Sequence, residues 1–292
     1  MRISFKVMAI LLLMNMAPAV KAQETLPFNT KLKLPSVQGV KAQWVLPPSI
    51  RAEKSPEYLC FDIDKKGIPW FGYKHGLIAS PLNQVSFLVD RPFEDFAWLS
   101  TGEFVVCTAA DLGFLGQEPG GETKGMLKFN PLMGLPYKGL RLFPGEKNAF
   151  YLAGRNPKSG NYEVYLFQAG KEEAVIKKLF VTRKKISAVA GDGETTYVAA
   201  GNSVQKILSG ETKPQQVFIH PKESITGLEF SSGSGLFFTT GSSVGFAGKK
   251  KNFEFMRSPD CKIRLRNERL YILLGNSYGM LQIEGIGKFR DL

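Results

Sequence analysis

The stretch Tyr197–Ser203 reads YVAAGNS, and similar phrases recur as FFTTGSS at Phe237–Ser243 and as YILLGNS at Tyr271–Ser277. Each phrase places four β-prone residues before a glycine and a small polar pair, which is the pattern of a strand that runs into a hairpin turn. Glycine suits this place because it can adopt a positive φ. The glycines are 40 and 34 residues apart, the repeat length of a four-stranded propeller blade.

The same pattern recurs along most of the chain and predicts an all-β protein. Six candidate second strands follow short apolar segments and polar turns: Gly67–Phe71, Gly102–Val106, Asn148–Leu152, Thr195–Ala199, Gly235–Thr239 and Arg269–Leu273. No window of a dozen residues has a helical period. We therefore predict a six-bladed β-propeller of four-stranded antiparallel blades, with a β-sandwich or a seven-bladed ring as the competing fold.

Closure of this ring needs a strand from elsewhere in the chain. The last unit ends after Gly279–Ile283 and a short tail, so it lacks an outer strand. The segment Val40–Leu46 is apolar enough to supply one. We expect this N-terminal strand to close the last blade.

The chain resembles six-bladed propellers of the broad grouping that includes NHL-repeat and TolB-like proteins. The resemblance rests on the strand rhythm and on the turn Asp64–Gly67, and it covers most of residues 55–290. It implies the fold, whereas many unrelated activities share this architecture.

The first 22 residues have the features of a secretory signal peptide. Arg2 and Lys6 precede an apolar run, and the segment ends in Val20–Ala22, with small residues where cleavage occurs. The run is too short to span a bilayer, although a retained anchor is the alternative. We expect an exported protein, periplasmic or extracellular, with an N-terminal segment at residues 23–54, a propeller at residues 55–292 and no transmembrane segment after processing.

The chain is basic, with a formal net charge of +12, of which the first 22 residues carry three. The run Lys249, Lys250 and Lys251 is typical of a solvated turn. The alternative is a contact with an anionic component of the cell envelope, since export disfavours nucleic acid as a partner.

Three cysteines, Cys60, Cys107 and Cys261, are too few and too widely spaced for a disulfide scaffold or a CxxC site. Each lies in or beside an apolar run, so we expect buried free thiols. A bridge between Cys60 and Cys261 remains the alternative.

The repeat is interrupted at about residues 111–137, where glycine and proline alternate with apolar residues. These residues are either the third and fourth strands of the second blade or an insertion that docks a partner. In the second case the docking side chains are Phe114, Leu115, Phe129, Met133 and Tyr137, with Lys249–Lys251 as an electrostatic accessory.

Catalytic motifs are absent from the sequence. It holds two histidines in unrelated contexts and no Gly-x-Ser-x-Gly elbow. Six-bladed propellers with lactonase activity hold one divalent metal over the central channel, and oxygen ligands at that place would suit Ca²⁺ or Mg²⁺. The weak candidates here are Asp62, Asp64, Asp95 and Asp192, and we otherwise expect no cofactor.

These observations favour an exported, non-catalytic propeller that binds a protein or an envelope polymer. One alternative is a metal-dependent, lactonase-like hydrolase or lyase that uses the central channel. Another is a sensor of a small ligand, in which Trp70 and Trp98 stack on a ring, although these tryptophans more often fill the core between blades.

Overall fold

The structure, a computed structural model, describes residues 30–46, 58–73, 76–80, 82, 85–98, 104–109, 111–116, 126–134, 137–145, 149–169, 174–211, 213–248, 251–275 and 279–292. The predicted signal peptide lies outside the described residues, as do Lys249 and Lys250. No described helix has the length and apolar character needed to cross a membrane.

The described chain is almost entirely β-structure. The strands in its first half are β1 (Lys31–Leu32), β2 (Lys41–Leu46), β3 (Tyr58–Ile63), β4 (Pro69–Tyr73), β5 (Leu77–Ser80), β6 (Val85–Val89), β7 (Asp95–Trp98), β8 (Phe104–Cys107), β9 (Asp111–Gly116), β10 (Met126–Gly134), β11 (Lys138–Pro144) and β12 (Ala149–Arg155). Those in its second half are β13 (Tyr162–Ala169), β14 (Ala174–Thr182), β15 (Ile186–Gly191), β16 (Thr195–Ala200), β17 (Ser203–Leu208), β18 (Gln215–Ile219), β19 (Gly227–Ser231), β20 (Gly235–Thr239), β21 (Ser243–Ala247), β22 (Asn252–Arg257), β23 (Lys262–Arg266), β24 (Arg269–Leu273) and β25 (Met280–Glu284). A 3₁₀ helix, Ile286–Asp291, follows the last strand.

Consecutive strands pair antiparallel in sets of four, as expected of propeller blades. The strands β11 to β14 and β15 to β18 each form a four-stranded sheet in chain order. The strands β19 to β22 do the same, and β1 adds to the outer edge of β22. An eight-stranded sheet contains β3 to β6 and β7 to β10, which are joined by a short parallel pairing of β6 with β10.

The last sheet combines the two ends of the chain. It has the order β2, β25, β24, β23, and β2 pairs antiparallel with β25. We call the strand that begins each set of four its first strand. The first strands contact one another in chain order around a central channel: β3, β7, β11, β15, β19 and β23. The hydrophobic core lies between the faces of adjacent sheets, where Tyr151, Val198 and Leu228 belong to one cluster of buried side chains.

The region at residues 111–137 holds strands on both sides of residues 117–125, which lie outside the described residues. The strands β9 and β10 pair antiparallel and complete a four-stranded set with β7 and β8. Leu115 and Phe129 are buried in the core there, with 7% and 2% of their surfaces exposed. The strand interpretation of these residues therefore accounts for their apolar character.

The three cysteines are buried free thiols. Burial raises the pKa of Cys60 and Cys107 well above the usual thiol range, and that of Cys261 to about 11. They act as small apolar side chains, as the sequence indicated.

Candidate functional site

A cavity of about 390 Å³ lies on the axis of the central channel. All six first strands border it, through Cys60, Asp95, Arg141, Ala188, Leu228 and Arg264. Glu94, Asp260 and the turn at residues 239–241 also border it. A concave site of this size on the axis of the fold is the natural place for a small ligand.

Asp95, the first residue of β7, is the buried carboxyl group of this cavity, with 5% of its surface exposed. Its Oδ1 accepts a hydrogen bond from the Phe96 amide at 3.0 Å, and its Oδ2 accepts one from the Leu142 amide at 3.4 Å. Burial raises the pKa of Asp95, and Arg264 and Arg141 partly oppose this rise. A carboxyl group held in this way can exchange a proton with a bound molecule.

Arg141, on β11, brings positive charge to the cavity. Its Nη1 donates a hydrogen bond to the Ser187 carbonyl oxygen at 3.2 Å, and its Cζ lies 5.0 Å from the centre of the Phe143 ring. Its side chain is exposed to solvent. The carbonyl and the ring fix the orientation of the guanidinium group while leaving other N–H groups available.

Strand β23 reads Lys262-Ile-Arg-Leu-Arg266, so basic and apolar residues alternate along it. Side chains two residues apart lie on the same face of a strand, so the three cations share the face turned to the channel. Ile263 on the opposite face is buried in the core. Lys262 is exposed at the cavity, and its pKa is lowered by burial of part of the group and by the positive charges of Arg264 and Arg141.

Arg264 is surrounded by carboxylates from other strands. Its Nη1 donates to Glu229 Oε1 at 3.0 Å, and its Nε lies 3.6 Å from Asp62 Oδ1. Burial raises the pKa of Glu229 to about 7, although Arg264 and the Leu265 amide oppose the rise. Arg264 thus balances part of the negative charge that Glu229 and Asp62 bring into the channel.

Arg266 ties three first strands together at the next position along the channel. Its Nε donates to the Ile63 carbonyl oxygen at 3.1 Å, and its Nη2 donates to the Trp98 carbonyl oxygen at 2.8 Å. Its Nη2 also lies 3.4 Å from Asp62 Oδ2, which accepts the Trp98 amide at 2.6 Å. The strands β23, β3 and β7 are therefore joined by charged hydrogen bonds.

The predicted metal ligands do not converge on one site. Asp64 and Asp192 lie in turns, where each accepts backbone amides of the residues that follow it. Asp62 is engaged by Arg264 and Arg266. Among the described residues, no three His, Cys, Asp or Glu side chains are arranged to hold a metal ion. The donor set therefore does not fit the Ca²⁺ or Mg²⁺ site expected of a lactonase-like propeller.

The predicted partner-binding residues are also dispersed. Leu115 and Phe129 are in the core, and Phe114 is partly buried against a second cluster. Tyr137 is half-buried and donates to Glu163 Oε2 at 3.1 Å. The side chains of Met133, Lys249 and Lys250 lie outside the described residues, and Lys251 is exposed.

The two tryptophans proposed for ring stacking instead stack on each other. The ring centres of Trp70 and Trp98 are 5.5 Å apart with an angle of 14° between the planes, and Trp70 is buried. They fill the core between β4 and β7.

Neither the family models nor the curated proteins contain a match to this sequence. Solved structures with the same fold include a luciferin-regenerating enzyme, with 11% identity and a TM-score of 0.58 over 84% of this chain and 96% of that one. The gluconolactonase XC5397 of Xanthomonas campestris matches with 11% identity and a TM-score of 0.58 over 92% and 98% of the two chains. Regucalcin of Agrobacterium tumefaciens, a calcium-binding protein, matches with 15% identity and a TM-score of 0.53 over 80% and 91%.

At these identities the likeness shows the fold, which is a β-propeller. The finer assignment to the NHL-repeat and TolB-like grouping stays a prediction. The expectation of a non-catalytic scaffold is corrected, because the structures that share this fold include a gluconolactonase and a second enzyme. Two of the apolar residues predicted to bind a partner, Leu115 and Phe129, are instead buried in the core. Titratable side chains, in contrast, line the cavity in the channel.

Of the charged residues at this cavity, Asp95 was predicted from the sequence, whereas Arg141, Lys262 and Arg264 were not. The signal for the last two was the alternation of basic and apolar residues in Lys262–Arg266, which is that of a half-buried strand with a charged face. Arg141 had no comparable signal, because it stands alone between apolar residues of β11.

Proposed function

We propose that the protein is a hydrolase that opens a small cyclic ester or a related ester in the cavity of its propeller channel. One observation carries the proposal: a buried carboxyl group with a raised pKa, Asp95, shares a cavity with the cationic groups of Arg141 and Lys262. Acid–base groups with perturbed pKa values, gathered in a concave site, are typical of catalysis. The shared fold of a gluconolactonase supports this choice.

The chemistry requires a base, an acid and a positive charge. Asp95 accepts a proton from a water molecule that attacks the carbonyl carbon, and returns it to the leaving alkoxide as the ring opens. The positive charge of Lys262, reinforced by that of Arg141 at the same cavity, stabilises the oxyanion that forms at the carbonyl oxygen. A cyclic ester gives one hydroxy acid, whereas an open-chain ester gives one alcohol and one carboxylic acid, and either reaction consumes one water molecule.

We further propose that this site needs no resident metal. Arg264 and Arg266 already pair with Asp62 and Glu229. At the cavity the three cations Arg141, Lys262 and Arg264 match the three acids Asp95, Glu94 and Asp260, so no excess negative charge is left to hold a divalent cation. On this proposal, a chelator leaves both the activity and the melting temperature unchanged.

The ring that holds the site is proposed to have six blades. The eight-stranded sheet divides into two sets of four strands. The strand β23, which begins the last set, contacts β3, which begins the first set, so the two ends of the series are neighbours. The strand β2 would then act as the closing strand through its pairing with β25. Export by the signal peptide at residues 1–22 is part of the same proposal.

The test uses the chain from residue 23 to residue 292 and a panel of five- and six-membered lactones. Hydrolysis is measured by titrating the acid that is released at constant pH. We expect Asp95→Asn to lower kcat/KM by about a hundredfold or more, the usual contribution of a general acid–base group. Asp192→Asn is the control, because that carboxylate serves a turn and does not border the cavity. Full activity of Asp95→Asn, or no activity of the wild type on any lactone, would reject the proposal.

A further inference from the structure

Arg141 differs from the other arginine of the cavity in how its charge is balanced. Arg264 is paired with Glu229 and Asp62 at 3.0 Å and 3.6 Å. No carboxylate among the described residues forms an ion pair with Arg141, which instead bonds the Ser187 carbonyl oxygen and lies over Phe143. A guanidinium group that is oriented but not neutralised is a receptor for an oxyanion.

The balance of charge around the cavity limits how many negative charges a ligand can carry. Arg141, Lys262 and Arg264 supply positive charge, although Arg264 is already paired with Glu229 and Asp62, while Asp95, Glu94 and Asp260 supply negative charge at the same cavity. A ligand with two negative charges would be repelled by these three acids. A single carboxylate satisfies Arg141 without this cost.

We infer that the substrate of the proposed hydrolase is a small molecule that carries one carboxylate in addition to its ester group, and that Arg141 binds this carboxylate. This inference rests on the proposed function, and it gives Arg141 and Lys262 different roles. Arg141 holds the carboxylate of the ligand, and Lys262 faces the oxyanion of the reacting ester. Asp95 then stands beside the reacting carbonyl group, because it shares the cavity with both cations.

The test measures binding without turnover. Small monocarboxylic acids and their primary amides, which match them in shape but carry no charge, are titrated into the wild type by calorimetry near pH 7.5. We expect the carboxylates to bind and the amides to bind at least about tenfold more weakly, since a hydrogen bond to a charged group is worth more than a neutral one. Arg141→Gln should weaken carboxylate binding about tenfold or more and leave the amides unaffected.

Arg155→Gln is the matched control. Arg155 is likewise exposed and donates one hydrogen bond to a backbone carbonyl, Gly160 O at 3.1 Å, but it does not border the cavity. Equal binding of acids and amides, or unchanged carboxylate binding by Arg141→Gln, would overturn the inference. Tighter binding of inorganic phosphate than of any carboxylate would overturn the choice of a singly charged ligand.

The outcomes separate the inference from the function. Lactone hydrolysis with no preference for a carboxylate would leave the hydrolase standing and remove the anion site. Carboxylate binding that depends on Arg141, without hydrolysis of any lactone, would support the anion site and reject the hydrolase.

Discussion

Gly201 and Gly275 occupy the same place in the repeated phrase but serve different needs. Gly201 has φ +67°, and a Cβ there would have open space around it. Gly275 does not have a positive φ, and a Cβ there would lie 2.7 Å from the carbonyl oxygen of Asp260. One glycine is required by the conformation of the turn, and the other by the close approach of a neighbouring chain segment.

This difference predicts the cost of adding one methyl group. Gly201→Ala should lower the free energy of unfolding by about 1 kcal/mol, the cost of a left-handed conformation for a residue with a side chain. Gly275→Ala should cost about 2 kcal/mol or more, because backbone atoms must move to accept the methyl group. Denaturant unfolding of both variants measures these values. A larger loss for Gly201→Ala would contradict the assignment.

Glu163 makes a second prediction at this scale. It is buried, and although burial alone would raise its pKa, hydrogen bonds from Tyr165, Lys178, Asn156 and Tyr137 lower the pKa to about 2. Because the folded-state pKa is depressed, this carboxylate stabilises the fold above about pH 4.5, and the contribution is lost as the pH falls towards 2. The shift is worth on the order of 2 kcal/mol after allowance for solvent screening.

Glu163→Gln should therefore be less stable than the wild type at pH 7, and the difference should shrink between pH 4.5 and pH 2. Melting temperatures across this range check the sign. Glu194→Gln, at an exposed turn, is the control and should change little. A difference that stays constant with pH would show that the charge of Glu163 is not responsible.

Among the elements, the strand β2 joins the N-terminal part of the chain to the last sheet. It pairs with β25 from Lys41↔Glu284 to Leu46↔Met280, and its residues Ala42 and Trp44 pack against the adjacent core. A chain that starts at residue 47 exposes the edge of β25 and should melt more than about 10 °C lower, because several kcal/mol of packing and pairing are lost.

A chain that starts at residue 40 is the matched control for this truncation. It keeps β2 and loses β1, a strand of two residues on the outer edge of β22, together with the partly buried Leu34 that follows it. We expect a much smaller drop in melting temperature. Equal drops in the two truncations would show that β2 does not close the ring.

The elements were largely predictable from local pattern, because alternation with period two needs no knowledge of the fold. All six predicted second strands overlap a strand, from β4 to β24. The pattern did not reveal how glycine and proline around residues 111–137 fit into β9 and β10, since irregular backbone and strand edges share the same composition. The cavity was harder still. Its residues Asp95, Arg141 and Lys262 are far apart in sequence, and only the arrangement of the first strands brings them together.

At the scale of the whole molecule, the channel holds positive charge where a metal ion is expected in propellers of the lactonase type. Carboxylates from three separate strands, Asp62, Asp95 and Glu229, act on the single guanidinium group of Arg264 and raise its pKa against the effect of burial. The guanidinium group of Arg264 thus provides the positive charge that these carboxylates need, and it is part of the chain itself. Its removal should leave the buried Glu229 without its cation and Asp62 with Arg266 alone, at a cost of about 3–5 kcal/mol.

We therefore predict that Arg264→Ala lowers the melting temperature strongly and makes it depend on divalent cations. Ca²⁺ or Mg²⁺ should restore part of the loss in the variant, since an ion that binds only the folded state stabilises it, and should leave the wild type unchanged. Arg269→Ala is the control, because its partner Glu284 at 3.3 Å is at the surface and both side chains are partly exposed. If cations stabilise the wild type as much as Arg264→Ala, the channel already binds a metal with Arg264 in place, and the chemistry proposed for Asp95 must be reconsidered with that ion present. If they stabilise neither, the three carboxylates lie too far apart to replace one cation with another.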